Sequence, residues 1–176
     1  MARITYLNEK TTQISTDLLA TIKNRRPNGR LLNLDKALLH SESVTKGWNA
    51  LFSQLRQNLS FSGSLRELVI LRIALINKAP YEFIQHEPEA VKEGVSAEKI
   101  NSLKAWESSD QFSPEEQSAL AYTDAVTRLI QVPEPIYTEL KKWFNEQQIV
   151  ELTALIAGYN MVSRFLEALE INTQGE

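Results

Sequence analysis

The stretch that decides the fold reads SLRELVILRIALINKAPYEFIQHEPEAVKEG, from Ser64 to Gly94. Residues 65–78 are apolar almost all the way round a helix, which is typical of a helix without a solvated face. Pro80 suits the first position of a following helix, and Gly94 suits its end. The stretch therefore predicts two consecutive helices, the first of them buried in a core or in a subunit interface.

Capping signals and helical periodicity continue on both sides of this stretch. The capping-box pattern Ser-x-x-Glu begins at Ser64 and again at Ser113, and Asn145 is expected to cap the last helix. No segment shows the alternation that is typical of a strand. The sequence predicts an all-α, single-domain bundle of about eight or nine helices over residues 1–176. These helices are expected at about 15–26, 35–40, 43–58, 64–78, 80–94, 96–106, 113–130, 134–144 and 146–169.

The composition excludes several classes of protein. The chain has 176 residues, 43% of them hydrophobic, a formal net charge of −3 and no cysteine. The absence of cysteine excludes disulfides, thiolate metal sites and cysteine nucleophiles. The basic residues form no large cluster, and the longest apolar run, 68–76, is broken by Arg72 and too short to cross a bilayer. We expect neither nucleic acid nor a membrane as a partner, and a cytoplasmic location.

Three residues are candidates for proton chemistry. Glu82 and His86 lie four residues apart, so on a helix their Cβ atoms are about 5–6 Å apart on one face. Glu67, on the preceding helix, could supply a second carboxylate. Two carboxylates and an imidazole held in apolar surroundings suit acid–base catalysis. Each residue also has a structural explanation. His86 could border a solvated acidic face, Glu82 could interact with the helix dipole, and Glu67 could complete the capping box.

The last predicted helix, 146–169, is apolar on nearly all sides like residues 65–78, so it too is expected to lack a solvated face and to be buried in a core or a subunit interface. Polar residues inside these two helices need partners, because an unpaired buried charge is costly. Arg72 and Arg164 could each form a structural salt bridge with Glu67 or Glu151. Alternatively, either guanidinium could bind a substrate carboxylate. Asn160 lies four residues before Arg164 and would share its face.

No metal or cofactor is expected. One histidine and two carboxylates could hold a divalent ion, but His40 and His86 are far apart in sequence and form no ligand spacing. The chain has no glycine-rich phosphate loop and no dinucleotide-binding fingerprint. Tyr81 is either a core aromatic or a residue of a substrate site.

The passage Arg66–Ala74 (RELVILRIA), followed by Tyr81-Glu82-Phe83-x2-His86, resembles the carboxymuconolactone decarboxylase family, which belongs with the alkylhydroperoxidase D-like proteins. The likeness extends over about residues 32–169. It implies an all-helical fold and a homo-oligomer, commonly a trimer or a hexamer.

The peroxidase branch of that family carries the pattern Glu-x11-Cys-x2-Cys-x3-His. Laid on this chain, the glutamate and the histidine fall on Glu67 and His86, and the two cysteines fall on Ala79 and Glu82. The acid and the imidazole are kept, but the redox pair is absent. Reduction of a peroxide by thiol–disulfide cycling is therefore not expected.

The decarboxylase branch implies cofactor-free loss of CO₂ from a lactone acid, leaving a dienolate that must be reprotonated. By this resemblance His86 would donate the proton, Glu82 would set its tautomer, and Glu67 would orient it. Arg72 or Arg164, with Tyr81 and Asn160, would bind the carboxylated ring or lactone. The alternatives are a non-catalytic oligomeric protein of the same fold that binds small molecules, and a peroxidase, which the missing cysteines disfavour.

Overall fold

The computed structural model describes residues 2–176, apart from the side chain of Pro27. Within these residues the chain forms nine α-helices, two short 3₁₀ helices and no strand. The 3₁₀ helices are Pro27–Gly29 and Leu103–Ser108. The predicted all-α fold is confirmed. The α-helices are α1 (Thr16–Asn24), α2 (Asn33–Leu38), α3 (Glu42–Gln57), α4 (Gly63–Asn77), α5 (Pro80–Lys92), α6 (Ala97–Ser102), α7 (Pro114–Leu129), α8 (Glu134–Leu140) and α9 (Glu146–Ala168).

The chain divides into two compact units. One comprises the described residues up to Gln54 together with Leu166–Glu176, and the other comprises Leu55–Phe165. In the first unit, Arg26 donates two hydrogen bonds to Asp35, each 2.7 Å long. Every residue predicted for the functional site lies in the second unit. The single domain over residues 1–176 stays a prediction.

Helix α4 is the core element of the second unit, where it packs against α5 and α7. Its buried residues include the continuous run from Glu67 to Ala74. The helix is capped by Ser62, whose side chain accepts a hydrogen bond from the Leu65 backbone, and not by Ser64. The predicted capping box ending at Glu67 is therefore wrong. Because the cap lies two residues earlier, Glu67 falls in the second turn of α4, on its buried side.

The other predicted caps are confirmed. Ser113 and Glu116 form a capping box at the start of α7. The Asn145 side chain accepts a hydrogen bond from the Gln148 backbone at 3.0 Å at the start of α9. Gly94, just after α5, has φ +88°, a conformation that glycine adopts without strain.

Helix α9 differs from the prediction that it has no solvated face. It is long and apolar enough to cross a membrane, but 56% of its most apolar window is buried within the chain, as in a core helix. Val150 is 67% exposed and Met161 is 43% exposed, and Ala154 and Ala157 between them are also exposed. We call these four residues the α9 stripe. They follow helical spacing and therefore form one apolar face.

Arg72 forms a structural ion pair between α4 and α7. Its Nε donates to Asp124 Oδ1 at 2.6 Å, its Nη2 donates to Oδ2, and its Nη1 donates to the Leu103 carbonyl at 2.8 Å. The pairing with Glu67 or Glu151 that the sequence left open is not formed. The guanidinium and the carboxylate are 8% and 16% exposed, so the pair lies largely away from water.

Replacing Asp124 with alanine should lower the free energy of unfolding by roughly 3–5 kcal/mol, because the Arg72 guanidinium then stays buried without a counter-charge. Urea denaturation measures the change. Asp110→Ala, which removes an exposed carboxylate, serves as the control. A loss below about 1 kcal/mol for Asp124→Ala would show that the pair behaves as a surface salt bridge.

Candidate active site around Glu67 and His86

A buried carboxylate–imidazole pair links α4 to α5. His86 Nδ1 lies 2.7 Å from Glu67 Oε2, and the two residues are 7% and 1% exposed. Because a carboxylate only accepts hydrogen bonds, Nδ1 carries the proton and Nε2 is the basic nitrogen of the neutral ring. Within residues 2–176, Nε2 has no hydrogen-bond partner. Nε2 is therefore the atom of this pair that can exchange a proton with a substrate.

The surroundings of the pair set its protonation. Burial lowers the pKa of His86 below its ordinary value of 6.5, and the charge of Arg56 acts in the same direction, against Glu67 and Glu89. Burial alone would raise the pKa of Glu67. The hydrogen bonds from His86 and Arg66 outweigh it and hold that pKa below its ordinary value of 4.5. At neutral pH the pair is a carboxylate and a neutral imidazole.

A chain of alternating charges extends from this pair. Arg66 Nε donates to Glu67 Oε1 at 3.0 Å, and Arg66 Nη2 donates to Glu93 Oε1 at 2.9 Å. The Glu93 carboxylate lies against Gly63, the first residue of α4, where a Cβ would overlap its Oε2. A helix N-terminus favours a carboxylate. The absence of a side chain at Gly63 therefore lets Glu93 reach Arg66.

Helix α9 packs its own polar groups against this site. The Tyr159 ring meets the His86 ring edge-on, with centroids 5.1 Å apart and an interplanar angle of 85°. Burial raises the pKa of Tyr159 above its ordinary value of 10.0, and the charges of Glu67 and Glu82 act in the same direction, so the phenol stays protonated. Glu82, 1% exposed, accepts a hydrogen bond from Ser163 Oγ at 2.9 Å.

The structure brings the three predicted catalytic residues into one buried region. Glu67 contacts His86 directly, and Glu82 accepts a hydrogen bond from Ser163, which lies one helical turn after Tyr159, the residue that packs on His86. The contact that orients the imidazole comes from Glu67, whereas the prediction gave the tautomer to Glu82. Tyr81, the neighbour of Glu82, is 3% exposed. The catalytic role of these residues stays a prediction.

The other predicted residues build contacts between helices. Arg164 Nη1 donates to the Asn160 carbonyl at 3.0 Å and to Asn160 Oδ1 at 2.8 Å. Asn160 Nδ2 donates to Thr127 Oγ1 at 2.9 Å, and Asn77 Nδ2 donates to Asn160 Oδ1 at 3.0 Å. Arg72 is engaged by Asp124 as described above. A substrate-binding role for Arg72, Asn160 or Arg164 would have to be additional to these contacts, and it stays a prediction.

An apolar pocket of about 450 Å³ lies on another face of α5. Its lining includes Ala79, which stands at the first cysteine position of the peroxidase pattern, and Phe83, but neither Glu82 nor His86. The described residues contain no group of three or more histidine, aspartate and glutamate side chains placed to hold a metal ion.

Sequence reasoning missed Arg56 and Ser163. Arg56 lies half-buried in the last turn of α3, where an arginine is usually explained by the helix dipole. Its charge adds to burial in lowering the pKa of His86, and it opposes the effect of burial on the pKa of Tyr159. Arg56 therefore belongs to the electrostatic environment of the site. Only the four-residue spacing from Tyr159 to Ser163 could have placed Ser163 on the same face.

Comparisons with known sequences identify the family of the chain. Residues 42–125 match the model of the Carboxymuconolactone decarboxylase family. The uncharacterized protein YdfG of Bacillus subtilis (strain 168) is 30% identical over 112 residues, which are 62% of this chain and 76% of YdfG. The chain belongs to the carboxymuconolactone decarboxylase family. The uncharacterized protein YnjA of Escherichia coli (strain K12) is 32% identical over 112 residues, which are 63% of this chain and 62% of YnjA.

Solved structures share the fold. An uncharacterized peroxidase-related protein of Ralstonia eutropha JMP134 with an alkylhydroperoxidase AhpD core matches 99% of this chain and 93% of its own, with a TM-score of 0.84 and 13% identity. A cysteine-to-alanine variant of the debrominase Bmp8, in complex with 2,3,4-tribromopyrrole, matches 99% and 95%, with a TM-score of 0.83 and 16% identity. These likenesses show the alkylhydroperoxidase D-like fold. Without cysteine, the chain belongs to the branch that lacks the redox pair.

Replacing Glu67 with glutamine should lower the pKa of His86 further, because the negative charge that favours the imidazolium is lost while an acceptor oxygen remains. Titration of the His86 ring by NMR measures the shift. Glu89→Gln, which removes a more weakly acting carboxylate on the same helix as His86, should give a smaller decrease. An unchanged or raised pKa in Glu67→Gln would mean that Glu67 is not the partner that governs the ring.

Proposed function

We propose that the protein is a cofactor-independent enzyme of the carboxymuconolactone decarboxylase type, a lyase or a related proton-transfer enzyme acting on a carboxylated ring or lactone. The observation that carries this proposal is the buried hydrogen bond between Glu67 and His86 in a chain without cysteine. This arrangement supplies a proton carrier with a fixed tautomer and a carboxylate that stabilises its charged form.

The proposed decarboxylation needs one proton at carbon. The bond between the ring and its carboxylate breaks, CO₂ leaves, and the electron pair remains on the ring as a dienolate. The neutral His86 ring, protonated at Nδ1, first takes a second proton at Nε2 from water, and the imidazolium then delivers this Nε2 proton to carbon and returns to the neutral ring. Glu67 stabilises the imidazolium before the transfer. The burial of His86 and Tyr159 limits competing contact with bulk water at the reacting face.

Thiol chemistry does not fit these residues. Ala79 and Glu82 occupy the positions of the cysteine pair, and neither side chain can form a disulfide or carry a sulfenic acid. The Glu82 carboxylate is held by Ser163, as a buried polar group requires. We therefore expect no turnover of a hydroperoxide with dithiothreitol as the reductant.

Replacing His86 with glutamine should reduce the release of CO₂ from a panel of carboxylated lactones by at least about 100-fold, because the proton carrier is lost. His40→Gln changes the other histidine, which is exposed, and should leave the rate unchanged. Equal rates for His86→Gln and the wild type would refute the assignment. Binding of a lactone without CO₂ release in either protein would favour a non-catalytic binding protein.

The pH dependence of the same assay distinguishes a proton donor from a base. If His86 donates the proton, the rate should rise as the pH falls from about 8 towards 6.5 and below, because the imidazolium fraction grows. The lowered pKa of His86 displaces this rise towards lower pH. A rate that falls over the same range would assign His86 the role of a base that abstracts a proton first.

We also propose that a second copy of the chain covers the α9 stripe, within a trimer or a hexamer. An open apolar pocket of about 630 Å³ borders the stripe at Met161, and its wall includes Ile130, which is 84% exposed. The Asn160 amide in the same wall is satisfied within the chain, so the exposed surface is mainly apolar. Exposed apolar patches of this kind commonly mark association surfaces.

Met161→Glu should shift the protein to a smaller species in sedimentation velocity, because a buried, unpaired carboxylate is costly in an interface. Ser108→Glu adds the same charge at an exposed position away from the stripe and should leave the assembly unchanged. Identical sedimentation of Met161→Glu and the wild type would exclude this face as the contact.

A further inference from the structure

The apolar pocket on the other face of α5 has no role in the proposed chemistry. Its volume is about 450 Å³, which lies within the range of sites for small molecules. Its apolar wall comes from α4, α5 and α6 and includes Ala74, Leu75, Phe83 and Ile100. Ala74 and Ile100 are 2% and 4% exposed, so this wall belongs to the core. The pocket can therefore hold the apolar body of a ligand.

Two cations without a counter-charge lie on this pocket. Lys78 and Lys104 both line it, and both side chains are exposed. Among the residues that the structure describes, neither ammonium group forms an ion pair or a hydrogen bond. Glu87 also lines the pocket but pairs with neither lysine. Two ammonium groups and one carboxylate leave a net charge of +1 on the lining, which favours a ligand with one negative charge.

The backbone at Lys78 is a second, independent sign of a binding site. Lys78 ends α4 with φ 54° and ψ 45°, in the left-handed region. Glycine is the usual residue at such a helix end, because a side chain there is strained. The lysine therefore lowers stability at this position while it supplies an ammonium group to the pocket. Residues held in such conformations are concentrated at functional sites.

We propose that this pocket binds an apolar molecule that carries a single carboxylate. The apolar body lies against Leu75, Phe83 and Ile100, and the carboxylate is held by the two lysines. The charge of Glu87 disfavours a ligand with a second acidic group. Because neither Glu67 nor His86 lines the pocket, binding there is independent of the proposed catalysis.

Calorimetric titration with octanoate tests this site without any turnover. The wild type should bind octanoate about tenfold more tightly than octanamide, which has the same tail without the charge. It should bind acetate, which lacks the tail, at least about 100-fold more weakly than octanoate. The affinity for octanoate should also fall as the salt concentration rises, because both lysines are exposed.

Lys78→Gly separates a binding role from a structural one. The variant removes the ammonium group and the backbone strain together, so octanoate should bind about threefold more weakly or worse while the melting temperature stays the same or rises. Lys104→Gln should weaken binding to a similar extent, and Glu87→Gln should strengthen it, because a repelling carboxylate is lost. Lys46→Gln removes an exposed lysine of α3 that does not line the pocket, and it should bind octanoate like the wild type.

Three results would each overturn this site. They are equal binding of octanoate and octanamide, no octanoate binding by the wild type, and unchanged octanoate affinity in both lysine variants. Ile84 lines the same pocket and is 51% exposed. If octanoate does not bind and Ile84→Glu gives a smaller species in sedimentation velocity, the pocket is instead a contact between copies of the chain.

Discussion

A carboxylate that is almost entirely removed from water must find its hydrogen bonds inside the protein, and Glu67 imposes this requirement on its surroundings. Its two oxygens are satisfied from two directions, by Arg66 on its own helix and by His86 on the next. The hydrogen bond between Glu67 and His86 therefore joins α4 to α5. The same bond fixes the tautomer of the imidazole, so one contact serves both the packing of these helices and the chemistry of the site.

The family pattern Glu-x11-Cys-x2-Cys-x3-His distinguishes the residues that this site keeps from those that it replaces. The acid and the histidine of the peroxidase pattern remain in contact, while Ala79 and Glu82 stand where the cysteines would be. A fold can keep its proton-handling groups and exchange the rest of its chemistry, because the helices that position them are supported elsewhere. Here that support comes from the packing of α4 against α5 and α7 and from the Arg72–Asp124 pair.

The sequence was informative where structure is local and less so where it depends on packing between distant segments. Periodicity identified α4 as buried and placed Glu82 and His86 on one helix, and the caps at Ser113 and Asn145 followed from neighbouring residues. The cap of α4 was misassigned because two serines flank Gly63 and either could begin the helix. Asp124, which is 52 positions from Arg72, could not be recognised as its partner, because no local pattern reports how α7 crosses α4. Arg56 was missed for the same reason.

The glycine at the start of α4 gives an uncharged position influence over a distant ring. A side chain at Gly63 would overlap the Glu93 carboxylate and displace it from its position beside Arg66. The Arg66 guanidinium would then interact with Glu67 without a competing carboxylate. The imidazole at the far end of this relay would respond with an altered affinity for protons, although no ionisable group had been changed. A substitution at Gly63 would thus change the pKa of His86 through steric displacement alone.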